Sequence, residues 1–62
     1  MEAKWIIKKS NDDQYFFILK APNSETLLLS EMYTTKDNAY NGINAIERYI
    51  TQGIQIEEQL EK

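Results

Sequence analysis

The chain has 62 residues, 42% of them hydrophobic and 27% charged, with a formal net charge of -3. That length allows one domain at most, the hydrophobic share fits a globular chain rather than a disordered one, and the acidic balance disfavours broad binding to nucleic-acid phosphates. The sequence contains no Cys and no His, which excludes disulfides and thiolate metal sites and removes the commonest general base and metal ligand.

Trp5 to Lys9 has the alternation of a first strand, with Trp5 and Ile7 on one face and Ile6 and Lys8 on the other. Ser10-Asn11-Asp12-Asp13 is a turn cluster, because these side chains bond locally and tolerate turn geometry. Tyr15 to Lys20 is dense in aromatic and aliphatic residues and predicts a second strand. Pro22-Asn23-Ser24 breaks it, and Thr26 to Ser30 is a third strand. The connections are short, so the pairing is antiparallel.

A turn centred on Asn23 and Ser24 would set Leu19 opposite Leu28, Phe17 opposite Ser30, Ile18 opposite Leu29 and Lys20 opposite Leu27. One face would then carry Tyr15, Phe17, Leu19 and Leu28 with Trp5 and Ile7. The other would carry Phe16, Ile18, Leu27 and Leu29 with Ile6.

A helix is expected from about Lys36 to Gln52, capped by Thr34 or Thr35, with Thr34 and Asp37 spaced as a capping box. Ala39, Ile43, Ile46 and Ile50 recur at helical spacing and form the stripe that should face the sheet. Gly42 beside the stripe costs ~1 kcal/mol against Ala in a helix, so it points to close packing there. Gly53 suits the residue after the helix, where a left-handed backbone is needed. Ile54-Gln55-Ile56 alternates like a short fourth strand, and residues 57–62 form a charged tail after a core of about 4–56.

Three groups of polar residues are candidates for chemistry. Asp12 with Asp13, and Glu57, Glu58 and Glu61, lack the converging oxygens of a hard-cation site and read as solvated carboxylates. Ser30, Glu31, Tyr33 and Lys36 gather where a strand ends and a helix begins, a place whose free N–H groups favour a small anion. The plainer alternative is that they hold the corner, with caps, a Glu31–Lys36 pair and packing of the Tyr33 ring. A minimal hydrolase using Ser30 ranks last, because no His exists to serve as its base. The expectation is a protein that is not an enzyme and has no metal or cofactor.

The apolar second face is the other anomaly. Phe16, Ile18, Leu27 and Leu29 would be exposed together beside a single helix, and a contiguous patch suggests a partner surface. The apolar runs are too short to span a bilayer, and Met1 to Lys9 lacks the continuous apolar core of a signal peptide, so the cytoplasm is the expected location.

The run Ser30-Glu31-x-Tyr33-x-x-Lys36, followed by Ala39, Gly42-Ile43 and Ile46, resembles the signature of the YegP-like family of small bacterial proteins. Tyr15-x-Phe17-x-Leu19-Lys20-Ala21 and then Asn23 is similar to that family's second strand and turn. Two departures stand out: Ser24 replaces the usual glycine after the turn asparagine, and Phe16 and Ile18 replace charged residues. The resemblance implies no known activity. It implies an assembly, in which two such units share one continuous sheet and exchange their last strands.

The expected fold is therefore α+β, in the order β-β-β-α-β, with one unit per chain. A domain this small gains little from its own core, so a homodimer is expected on size as well as on resemblance. Ile54 and Ile56 would be buried in that dimer. The expected function is that of a small homodimeric structural or interaction module with an unidentified partner; weak binding of an anion around Tyr33 to Lys36 is the alternative.

Overall fold

The computed structural model describes residues 2–60. Three strands, β1 (Lys4–Lys9), β2 (Tyr15–Lys20) and β3 (Thr26–Leu29), precede one helix, α1 (Lys36–Gln52). The strands form one antiparallel sheet in the order β1-β2-β3, so β2 is central and both outer strands have an open edge. The α+β class and the first four elements match the sequence expectation.

Both hairpins close in the same way. In the first, Asp13 N donates to Ser10 O at 3.2 Å and Ser10 N to Gln14 O at 2.7 Å, with Asp13 at φ 63°. The Ser10 hydroxyl also donates to the Asp12 carboxylate. In the second, Ser24 N donates to Ala21 O at 2.9 Å and Ala21 N to Glu25 O at 2.8 Å, with Ser24 at φ 70°. Pro22 and Asn23 are thus the central turn residues, because proline's ring pre-sets the backbone angle the first of them needs. This corrects the expected turn, and it lengthens the loop by a residue. The register absorbs that residue as a bulge: Ile18 pairs with Leu29 and Leu19 with Leu28 as expected, but Lys20 faces Thr26 rather than Leu27.

Strand alternation then places the core. Phe17, Ala39 and Ile43 are buried, and Trp5, Ile7, Tyr15, Leu28, Tyr33 and Ile46 pack around them. Trp5 meets Phe17 edge-on with ring centres 5.4 Å apart. The indole N–H of Trp5 donates to Glu47 at 3.0 Å, which ties β1 to the helix. Ile50 departs from expectation: it is 55% exposed and lines an open groove with Trp5 and Leu19, at the rim of the helix–sheet contact.

The helix ends follow local chemistry. Thr35, not Thr34, is the cap; its hydroxyl accepts from Asn38 N at 3.1 Å, satisfying a first-turn donor. Gly53 takes φ 98° and its N–H donates to Ile50 O at 3.1 Å. Beyond it, residues 54–56 pair with no strand among the described residues, and Ile54 and Ile56 are 65% and 93% exposed. A fourth strand needs an edge to pair with, and this segment leaves the helix without meeting one. Of the expected tail, residues 57–60 are exposed, and 61 and 62 lie outside the described residues.

Candidate functional site

The strand–helix corner is assembled from backbone bonds. Ser30 N donates to Phe17 O at 3.0 Å, and Phe17 N donates to the Ser30 hydroxyl at 2.8 Å. The hydroxyl oxygen therefore stands where the next carbonyl of the ladder would otherwise accept. Its own proton goes to Glu31 O at 2.8 Å. Further on, Tyr15 and Tyr33 exchange backbone bonds of 2.8 and 2.7 Å. Glu31 and Met32 bulge out between these two anchor points and are exposed.

This geometry says what each corner residue does. Ser30 uses its hydroxyl both as acceptor, from Phe17 N, and as donor, to Glu31 O, within the fold. Tyr33 stacks on Phe17 with ring centres 5.9 Å apart and planes 14° apart. Its ring also lies against Gly42: a Cβ there would stand 2.7 Å from Tyr33 Oη and 3.0 Å from Phe17 Cε2. Glu31 and Lys36 are exposed, and the pair expected between them does not form; the salt bridge found among the described residues is Lys9–Asp13 at 3.6 Å.

The second candidate surface is the sheet face away from the helix. Alternation puts Phe16 and Ile18 there with Ile6 and Leu29. Phe16, Ile18 and Ile6 are half-buried by their strand neighbours, while Leu29 is 64% and Leu27, at the bulge, 57% exposed. The same face carries Lys4, Lys8 and Lys20, none of them among the candidate residues read from the sequence. Their signal was present in Lys4-x-Ile6-x-Lys8, an alternation of cations with an apolar residue between them. Beside this face, an open groove is lined by Glu2, Lys4, Ile6, Lys20 and the Ala21–Pro22 turn. Among the described residues, no helix is long and apolar enough to cross a membrane.

The family model described as "Domain of unknown function (DUF1508)" matches residues 10–54, from the first turn through the helix to Ile54. This chain belongs to the DUF1508 family. It is 44% identical over 61 residues to the UPF0339 protein YegP of Escherichia coli K12, covering 97% of this chain and 52% of that protein. It is 45% identical over 47 residues to a UPF0339 protein of Shewanella oneidensis MR-1, covering 76% of this chain and 43% of that one. The chain thus spans about half the length of the curated relatives it matches. An NMR solution structure of a protein from Haloferax volcanii superposes with a TM-score of 0.78 at 26% identity, covering 92% of this chain and 97% of that one. None of these names states an activity. The DUF1508 match bears out the resemblance read from Ser30 to Ile46, and it starts inside the first hairpin rather than at β1.

Proposed function

We propose that this DUF1508 unit is a homodimeric interaction module, in which two copies exchange residues 54–56 as an added strand and the joined sheet offers its helix-free face to another protein. The observation that carries the reading is the exposure of Ile54 and Ile56, at 65% and 93%, directly after a helix whose sheet has two open edges. An added strand would pair the backbone groups of an open edge and remove both isoleucines from water. The sparse core supports the need for it: Phe17, Ala39 and Ile43 are the buried hydrophobic residues among those described. The lengths of the relatives are also consistent with it. The E. coli and Shewanella proteins have room for two such units in one chain, whereas the Haloferax chain is matched along nearly its whole length by this single unit.

Sedimentation equilibrium at micromolar concentration tests the dimer. The expected result is a species of twice the chain mass whose thermal midpoint rises with protein concentration, since dissociation and unfolding are coupled. Truncation before Ile54 should lower the mass and the midpoint together. A folded, stable species of one chain mass would overturn the assembly.

A further inference from the structure

The pairing register arranges the helix-free face in rows that run across the strands. Ile6 faces Ile18 and Ile18 faces Leu29, so three apolar side chains form one line over the whole sheet. On one side of that line Lys4 faces Lys20, which faces Thr26; on the other, Lys8 faces Phe16. An apolar row is thus flanked by cations on both sides, in a chain whose formal net charge is -3. These lysines have no carboxylate partner among the described residues, where the salt bridge found is Lys9–Asp13, off this face. Lys20 Nζ donates to Ser24 O at 3.3 Å and to the Thr26 hydroxyl at 2.8 Å, which orients the ammonium without neutralising it. The carboxylates near the face are at its rim: Glu2 in the groove with Lys4 and Lys20, and Glu25 and Glu31 just before and just past β3.

We infer that this face docks an acidic amphipathic helix of a partner protein, laid along the Ile6–Ile18–Leu29 row. Neighbouring strands lie ~4.8 Å apart and a helical turn rises ~5.4 Å, so a helix in this direction places about one apolar residue on each strand. Those are the i, i+3 or i+4, i+7 anchors by which a helix fills an apolar surface. The lysine rows stand two residues away along the strands, ~7 Å from the centre line and just beyond the ~5 Å radius of a helix. Carboxylates on both flanks of the docked helix would therefore meet them, while a basic helix would be repelled on both sides. A single-stranded nucleic acid would want successive aromatic platforms, and Phe16 is the aromatic residue of this face. The inference rests on the helix-free face being a partner surface; it does not depend on the strand exchange, which joins sheets at their edges and leaves this face open.

Two synthetic helical peptides of about four turns test it, each with a Leu stripe, one flanked by Glu and the other by Lys. They are titrated into the isotope-labelled 62-residue chain and followed by NMR. The Glu peptide is expected to move the methyl signals of Ile6, Ile18 and Leu29, and the Lys peptide to leave them. Raising the salt to about 0.5 M should weaken the Glu-peptide shifts, as screening requires. The double variant Lys4→Glu, Lys8→Glu should reverse the preference by about tenfold or more. Both positions are exposed, and the salt series on the unaltered protein stands if that variant fails to fold. Equal response to both peptides would overturn the acidic partner and keep the docking face. No movement of the three methyl signals with either peptide would overturn both. Stronger binding to phosphatidylglycerol vesicles than to the Glu peptide would also overturn the inference and assign the face to a lipid surface.

Discussion

Gly42 and Tyr33 occupy each other's space: a single added Cβ on Gly42 would stand 2.7 Å from the phenol oxygen of Tyr33. Mid-helix glycine is unfavourable by itself, so its presence here is explained by the Tyr33 ring against it and by Phe17, whose Cε2 would stand 3.0 Å from the same Cβ and which is 1% exposed and unable to retreat. Gly42→Ala should therefore destabilise the protein. The crowding costs ~1–3 kcal/mol, against a gain of about 1 kcal/mol in helix propensity. Asn41→Ala, one position away and exposed, should hold or raise stability. Denaturant melts of both variants measure the contrast, and a Gly42→Ala protein as stable as its Asn41→Ala counterpart would contradict it.

Ser30 fills a place in the ladder with its side chain. Ser30→Ala leaves the Phe17 N–H without that acceptor in a buried position, a loss of about 1–3 kcal/mol. A residue kept for binding at the corner would show no such loss. Thermal melts decide between the two roles, because an unchanged midpoint would return the hydroxyl to the list of available groups.

The helix cap has one owner. Thr35→Ala should cost about 1 kcal/mol, since the Asn38 N–H loses its acceptor, and Thr34→Ala should stay within about half of that. Equal losses for the two variants would mean the first turn is capped differently from the geometry seen here.

Ser24 sits at φ 70°, where an L side chain costs about 1–2 kcal/mol and glycine none. Ser24→Gly should raise stability by about 0.5–1 kcal/mol, the remainder being lost to glycine's greater freedom in the unfolded chain. Asp13, in the matching position of the first hairpin at φ 63°, should gain less from the same change, because Asp tolerates this region better. A drop in the Ser24→Gly midpoint would refute the assignment of strain.

What could be read from the sequence was local. Two-residue alternation assigned Phe17, Leu19 and Leu28 to one face and Phe16, Ile18 and Leu29 to the other, and the structure keeps those faces, because side-chain direction in a strand depends on the residue's own place in the pleat. The helix span and Gly53 after it were legible for the same reason: spacing and backbone preference act within a turn or two. The corner motif was legible as a family pattern but not as a mechanism. That the Ser30 hydroxyl stands in the β2 ladder, and that Gly42 makes room for Tyr33, are relations between residues far apart in the chain, and no local rule contains them. The extra residue at Leu27 depended on which bonds the Pro22 turn would close, and one residue's difference there moved Lys20 from Leu27 to Thr26. The Ile6–Ile18–Leu29 row exists only because three strands pair in one register. Individually these are three ordinary aliphatic residues; the tertiary structure alone makes them a line between cations.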